Sequence, residues 1–261
     1  MNSYTENNIN GQAKIWSRYE MKYLVSESKA AAVVRFIRPY VHLDHYCEGQ
    51  PNNSYPIVSL YLDSQNLRLC RESLEGHKNR FKLRIRSYTD EPDYPRFVEI
   101  KRRVNSIVIK GRSQLKHDNI ANLLSGLSLS GAGFADNDET LRQFQLYLNS
   151  IQARPVIRTR YQRQAFESIA DDSVRITFDR DLSYNVTPIA NVGLNGRGWQ
   201  KILLNYVVLE IKFTGRFPAW LSQMVKCFEL RQQSVSKYAR SVKRACLMKF
   251  CAPKITGGYR L

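Results

Sequence analysis

Apolar and cationic residues alternate strictly from Phe81 to Arg86. Phe81, Leu83 and Ile85 fall on one side of a predicted strand, and Lys82 to Arg86 places three cations on the other. Adjacent like charges repel each other, so this face favours an anionic partner. A basic strand exposed to solvent would show the same local pattern. The recurrence of the pattern elsewhere in the chain favours an anion-binding face over a solvated strand.

The same alternation recurs along most of the chain and predicts eight strands. They cover residues 18–25, 58–63, 81–88, 97–103, 107–112, 155–166, 174–181 and 207–213. Spacing of three and four between apolar residues predicts helices after Ser26 or Ser28, then at 119–124, 139–148, 217–228 and 234–248. Residues 1–14 are predicted to be disordered, and 125–138 to form a loop rich in Gly, Ser and Asp.

No predicted strand is apolar on both faces for long enough to form a parallel core. We therefore predict an α+β fold, in which an eight-stranded antiparallel sheet closes into a β-barrel with flanking helices. Residues 1–261 are interpreted as one domain.

The polar faces of these strands carry more cations than carboxylates. The cations are Arg18, Lys22, Lys82, Arg84, Arg86, Lys101, Arg103, Lys110, Arg112, Arg163, Arg175 and Lys212, and the acids are Glu20, Asp63, Glu99, Asp179, Asp181 and Glu210. On an outer surface they would form an ordinary solvated face. Inside a barrel they would require a neutralising anion, because unpaired buried charge is very costly. A chain of phosphates suits Arg and Lys, and the carboxylates would hold a divalent cation that bridges the phosphates.

Composition agrees with an anionic ligand. The net charge is +17 and the pI is near 9.8, which favours nucleic acid, an anionic membrane or a highly phosphorylated small molecule. Five cysteines without CxxC spacing are typical of free thiols in a reducing compartment. With no apparent signal peptide or apolar run of membrane-spanning length, the sequence predicts a cytoplasmic protein.

Eight short motifs occur in an order that resembles a known family. They are Arg18–Tyr23 (RYEMKY), Tyr61–Asp63 (YLD), Lys82–Arg86 (KLRIR), Val98–Lys101 (VEIK), Tyr161–Arg163 (YQR), Val174–Asp179 (VRITFD), Val208–Lys212 (VLEIK) and Ser236–Tyr238 (SKY). Together they resemble the polyphosphate polymerase domain of the vacuolar transporter chaperone (VTC) family, within the CYTH-like triphosphate tunnel metalloenzymes. The resemblance covers about residues 16–250.

The resemblance implies a tunnel in which the γ-phosphate of ATP is transferred to polyphosphate with Mn²⁺ or Mg²⁺. Roles carried over by position, together with the predicted polar faces, give three groups of site residues. The expected catalytic phosphate ligands are Lys22, Arg84, Arg86, Lys101, Arg163 and Arg175. The expected substrate-binding residues are Lys110, Tyr161, Lys212, Ser236 and Lys237. The expected metal ligands are Glu210, Glu99 and Glu20.

Two departures from the family pattern affect the expected activity. The hydrolytic relatives begin with Glu-x-Glu-x-Lys, and Arg18 stands at the first Glu here; one carboxylate fewer fits transfer better than hydrolysis. No segment resembles the SPX domain or membrane segments of eukaryotic members, so export would require a membrane-protein partner.

Two other functions remain open. One is a tripolyphosphatase of the same fold, and the other is a non-catalytic polyanion-binding module. Specific nucleic-acid binding is disfavoured, because the basic strands have few exposed aromatic residues for base stacking and no RNA-binding motif is present. The cations could also form ordinary ion pairs with barrel carboxylates, such as Lys212 with Glu210.

Overall fold

The computed structural model describes residues 18–105, 107–125, 138–170, 173–202 and 205–247. The predicted disorder of residues 1–14 and most of the predicted loop at 125–138 lie outside these ranges, as does Cys251. The other four cysteines are free thiols, as predicted. Among the described residues, no helix has the length and apolar character that crossing a bilayer requires.

Ten strands of the described ranges form one antiparallel sheet. They are β1 (Arg18–Ser26), β2 (Val41–Leu43), β3 (Tyr55–Asp63), β4 (Arg80–Ser87), β5 (Arg96–Val104), β6 (Ile107–Leu115), β7 (Arg154–Ser168), β8 (Val174–Val186), β9 (Gln200–Lys201) and β10 (Tyr206–Thr214). The main order is β1-β10-β8-β7-β3-β4-β5-β6, with the short β2 and β9 pairing to β7 and β8. All eight predicted strands are present.

In the part of the chain that the structure describes, six α-helices flank this sheet. They are α1 (Glu27–Ile37), α2 (Arg68–Leu74), α3 (Asn119–Leu124), α4 (Glu139–Ser150), α5 (Ala219–Cys227) and α6 (Lys237–Leu247). The Ser26 hydroxyl accepts a hydrogen bond from the N–H of Lys29 and caps α1. The α+β class with an antiparallel sheet and flanking helices is therefore confirmed.

The apolar faces of the strands point outward, against the helices. One core joins α1 and α5 to β1, β8 and β10, and a second joins α3 and α4 to β3–β6. Burying these faces stabilises the sheet by removing apolar area from water. The polar faces are consequently turned to the concave side.

The sheet curls so that its two ends approach each other. β1 and β6 are the ends of the strand order, and the described strands show no backbone pairing between them. The Lys101 ammonium on β5 nevertheless lies 3.3 Å from Glu20 Oε2 on β1. Side chains rather than a continuous backbone ladder thus bring the two ends of the sheet together.

Some elements differ from the prediction. β2, β9 and α2 were not predicted, and α6 begins at Lys237 rather than at Ser234, because the Ser236 hydroxyl accepts the N–H of Ala239 and so caps the helix. Strands β7 and β8 extend as a long ribbon to Val186, with a register shift between Arg160 and Gln162.

Candidate active site in the curled sheet

A ladder of alternating charges crosses β1 and β10. Lys22 lies opposite Glu210 in the register, and Glu20 lies opposite Lys212. The Lys22 ammonium contacts Glu20 and is 3.4 Å from Glu210 Oε2. Lys212 Nζ lies 2.7 Å from Glu210 Oε1, and Lys101 reaches Glu20 from β5. The structure thus brings together five of the predicted site residues.

Both carboxylates of this ladder stay ionised. Burial and the nearby Glu210 carboxylate oppose ionisation of Glu20, but the ammonium groups of Lys22, Lys101 and Lys212 lower its pKa to about 2. The pKa of Glu210 is also lowered, since Lys212 and Lys22 outweigh its burial. Two anionic carboxylates therefore face the interior at neutral pH.

Four cations converge on one buried carboxylate, Glu99, which is 1% exposed. Arg84 Nε donates to Glu99 Oε2 at 2.6 Å. Arg86 Nη1, Lys110 Nζ and Arg112 Nε lie 3.7, 3.4 and 3.7 Å from Glu99 Oε1. One carboxylate cannot neutralise four cations, so this cluster has an excess of positive charge.

The pKa values in the Glu99 cluster reflect this imbalance. Burial opposes ionisation of Glu99, but Arg84, Arg86 and Lys110 hold its pKa well below its ordinary value. Burial and the surrounding guanidinium groups lower the pKa of Lys110 to about 8, although Glu99 favours its charged form. An additional anion would stabilise this protonated lysine.

Arg163 and Lys237 share Asp179 as their anchor. Arg163 donates two hydrogen bonds to Asp179, from Nε at 2.7 Å and from Nη2 at 2.8 Å, and Lys237 Nζ lies 2.6 Å from Asp179 Oδ2. Both cations lie over the Tyr161 ring, 5.4 and 4.6 Å from its centroid. Helix α6 therefore contributes Lys237 to the concave side, and Tyr161 faces inward as expected.

Lys82 is the most weakly compensated of these buried cations. Its ammonium donates to the Ser236 hydroxyl at 3.0 Å, and no carboxylate of the described residues forms an ion pair with it. Burial lowers its pKa to about 8, and nearby Lys101 and Lys22 contribute to the shift. Lys82 was not among the predicted site residues, although its place in the alternating strand beginning at Phe81 was a usable signal.

Arg175 lies at the end of the site where β2 joins β7. It forms ion pairs with Asp44 and Glu167, and these carboxylates outweigh burial and raise its pKa. Arg175 is thus more fully neutralised by the protein than the cations around Glu99.

Two carboxylates predicted for the inner polar face have other roles. Asp63 accepts the backbone N–H groups of Leu69 and Cys70, each at 2.9 Å, and so holds α2. Asp181 has φ of +54° at the irregularity in β8 and is 67% exposed, with Lys201 Nζ 3.9 Å away. The bulge turns Asp181 out of the inward series that continues to Asp179.

The site geometry is accompanied by a match over most of the chain. The family model described as "VTC domain" matches residues 17–246. The chain belongs to the VTC domain family. Vacuolar transporter chaperone complex subunit 4 of Trypanosoma brucei brucei is 25% identical over 280 aligned positions, which cover 88% of this chain and 34% of that protein. The chain therefore spans about a third of the length of this relative.

Solved structures show weaker similarity to this VTC domain. A Bacillus halodurans protein described provisionally as an adenylate cyclase has a TM-score of 0.46 and 14% identity, covering 83% of this chain and 92% of that one. The Mimivirus capping enzyme triphosphatase has a TM-score of 0.29 and 10% identity, covering 81% and 89%. These scores are below 0.5, so the assignment rests on the family match.

The carboxylates of this VTC domain differ in their suitability for a metal. Among the described residues, no group of three or more His, Cys, Asp or Glu side chains forms a metal site. Mg²⁺ is commonly bound by one or two carboxylates together with substrate phosphates. Glu20 and Glu210 fit that donor set because both contact the Lys22 ammonium, which places the two carboxylates near each other. Glu99 fits poorly, since four cations already surround it.

Two buried hydroxyls of the VTC domain were not predicted as site residues. The Oγ1 atoms of Thr159 and Thr177 have no hydrogen-bond partner among the described residues. Thr177 lies opposite Glu210 in the register, and Thr159 lies opposite Ser59. Each could donate to a phosphate oxygen, but nothing in the alternation pattern distinguishes these threonines from structural ones.

Proposed function

We propose that this VTC domain is a polyphosphate polymerase that transfers the γ-phosphate of ATP to a growing polyphosphate chain. The main observation that supports this proposal is the uncompensated positive charge on the concave side. Four cations share Glu99, and Lys82 has only a hydroxyl partner within the part of the chain that is described. A string of phosphates supplies the missing negative charge along the whole row of cations.

The reaction requires positioning and charge neutralisation. A terminal oxygen of polyphosphate attacks the γ-phosphorus of ATP, a new P–O–P bond forms, and the bond from the γ-phosphorus to the β–γ bridging oxygen breaks to release ADP. The attacking oxygen is already anionic, so no general base is needed. Arg84, Arg86 and Lys101 are proposed to hold the reacting phosphates in line.

The remaining cations are proposed to extend this row. Lys110, Arg163 and Lys237 would hold further phosphates. Tyr161 would orient Lys237, which lies over its ring, and Ser236 would orient Lys82, which donates to its hydroxyl. Arg175, beside Asp44 and Glu167, and Lys22, beside Glu20 and Glu210, are also proposed as phosphate ligands. Lys212 is proposed to contact substrate beside Glu210. Phosphate binding would require some of the present ion pairs to lengthen.

Glu20 and Glu210 are proposed to hold Mn²⁺ or Mg²⁺. When bound, the ion would neutralise charge on the phosphate oxygens. Lys22 contacts both carboxylates, so it would balance their charge before nucleotide and metal bind. Glu99 is not included in this proposed metal site, because Arg84 occupies one of its oxygens.

Product analysis tests the proposed activity. Purified protein incubated with ATP and Mn²⁺ should form an acid-labile polymer of increasing length together with ADP. Orthophosphate released from tripolyphosphate without polymer would instead identify a tripolyphosphatase. Tight polyphosphate binding without turnover of either substrate would identify a binding module.

Two variants separate phosphate binding from unfolding in that assay. Arg84→Ala and Lys101→Ala should each weaken ATP binding, because each removes a proposed phosphate ligand. Arg154→Ala is the matched control. Arg154 lies at the exposed start of β7 and donates a hydrogen bond to the Gln65 side chain, so its removal should leave ATP binding unchanged. An excess of RNA should not compete with ATP.

A further inference from the structure

A cluster of apolar side chains is exposed at the tip of the β5–β6 hairpin. Its side chains include Ile107, which is 65% exposed, and Val108, which is 51% exposed, together with the exposed Val104 and Ile109. Val104 pairs with Ile107, and the alternation places Ile109 on the same outer face and Val108 on the inner face. Each face of the tip therefore carries exposed apolar side chains, with Arg103 opposite Val108 and Arg102 opposite Ile109.

This hairpin is also at an unprotected end of the sheet. β6 is the last strand in the order, and no described strand pairs with its free edge. Exposed apolar residues clustered on an edge strand mark an interaction surface or an aggregation hazard. The tip therefore requires a partner that accommodates apolar side chains.

Cations surround the apolar tip, and no acid accompanies them in sequence. From residue 100 to residue 117 the chain has no Asp or Glu and six Lys or Arg residues. Lys101, Lys110 and Arg112 contact Glu20 or Glu99 in the concave site, whereas Arg102 and Arg103 directly precede the tip. Arg80 at the start of β4 lies opposite Arg103 in the register. Two copies of this hairpin would repel each other, whereas an anionic surface would attract it.

The distance between the apolar tip residues and the neighbouring cations matches the depth of a lipid interface. Arg102 is two residues before Val104, the register partner of Ile107, a distance of about 7 Å along a strand. An apolar surface that binds the membrane interface is buried about 5–10 Å into the headgroup and acyl boundary. Seating Ile107 among acyl chains would therefore place the cations among the anionic headgroups.

We propose that the β5–β6 hairpin tip is a membrane-docking element that inserts into a bilayer surface with anionic headgroups. The apolar tip provides insertion, and Arg80, Arg102 and Arg103 provide electrostatic attraction. This docking is independent of whether the concave site polymerises phosphate.

Vesicle co-sedimentation tests the docking. The 261-residue protein should sediment with phosphatidylcholine vesicles that contain phosphatidylglycerol, and at least tenfold less with phosphatidylcholine alone. Replacing Ile107, Val108 and Ile109 together by Ser should weaken binding at least tenfold without changing net charge. Ile189→Ser is the matched control, since Ile189 is 66% exposed in a different loop. Equal binding by the triple variant and the wild type would overturn insertion.

Three further measurements separate loss of docking from loss of folding. Circular dichroism should show the same fold for the triple variant, and Arg80→Gln with Arg103→Gln should weaken binding while the apolar tip is intact. In the Ile107→Trp variant, the added indole emission should shift to the blue and be quenched by brominated lipid. No shift, absence of wild-type binding, or self-association that the triple variant abolishes would overturn the proposal.

Discussion

The Tyr238 hydroxyl donates a 2.6 Å hydrogen bond to Asp63 Oδ2. Tyr238 belongs to α6 and Asp63 ends β3, so the bond ties helix α6 to the end of a central strand. The Tyr238 ring also stacks on Tyr61, with centroids 4.7 Å apart. Since Ser236 and Lys237 directly precede Tyr238, this contact determines where two of the proposed substrate ligands lie.

Tyr238→Phe should reduce both stability and substrate binding. The variant leaves a buried carboxylate oxygen without one of its donors, which costs about 1–3 kcal/mol of unfolding free energy. Denaturant unfolding measures that cost, and calorimetric titration with tripolyphosphate measures the weaker binding expected when Lys237 is less well positioned. Tyr206→Phe, at an exposed tyrosine, should change neither quantity. Full stability with normal binding in Tyr238→Phe would contradict this role.

Polyphosphate binding should weaken as the pH rises above about 8. Lys82 and Lys110 both have a pKa lowered to about 8 by burial, so each loses its charge in this range and binding must restore the proton. The affinity should fall by up to about tenfold per pH unit for each lysine. Calorimetry in buffers of different ionisation enthalpy should detect up to about one proton taken up per lysine.

The same lysines make the opposite contribution to the stability of the free protein. Their folded pKa is below the ordinary value of 10.5, so the unfolded chain binds more protons between these values, and their contribution to stability rises with pH there.

Lys82→Arg combined with Lys110→Arg should flatten the pH profile of polyphosphate binding, because arginine stays charged. Lys201→Arg is the surface control, and an unchanged profile in the double variant would contradict the assignment.

The strands and the inward cations were predictable because strand side chains alternate with a period of two. Every predicted strand is present, and the predicted Lys22, Arg84 and Lys101 lie on the concave side with their neighbours. β2 and α2 were not predictable in this way, since three and seven residues are too short to display a period.

The ion-pair partners were harder to predict because they depend on register and curvature. Lys101 and Glu20 are 81 positions apart and lie on strands that are not neighbours. Asp181 continues the polar alternation in sequence, but a single positive φ removes it from the inward series. Local patterns therefore predict which side chains share a face, and tertiary geometry decides which carboxylate each cation contacts.

Glu210→Gln should remove metal-dependent turnover and retain substrate binding. Loss of one of two proposed metal ligands should lower the rate on the order of a hundredfold or more. Polyphosphate affinity should stay equal or increase, because one negative charge is removed beside Lys22 and Lys212. Polymer formation with Mn²⁺ and equilibrium binding without metal measure the two effects. Glu72→Gln, which alters a surface pair with Arg68, is the control, and normal turnover in Glu210→Gln would exclude the metal site.

Glu99→Gln should destabilise the free protein and increase its stabilisation by ligand. The substitution leaves Arg84, Arg86, Lys110 and Arg112 without their shared anion, and breaking a buried ion pair costs about 3–5 kcal/mol. The melting temperature should fall, and tripolyphosphate should raise it by more than in the wild type, because the ligand replaces the lost charge. Mn²⁺ together with ATP should still raise the melting temperature of Glu99→Gln, because the proposed metal ligands Glu20 and Glu210 are intact.

Arg112→Gln is the matched comparison for Glu99→Gln within the same cluster. It removes one cation and keeps the anion, so it should cost less stability and reduce the tripolyphosphate-induced rise in melting temperature. Equal ligand-induced rises in the wild type and both variants would show that phosphates do not bind beside Glu99. Loss of the Mn²⁺-dependent rise in Glu99→Gln alone would instead make Glu99 a metal ligand, despite the four cations around it.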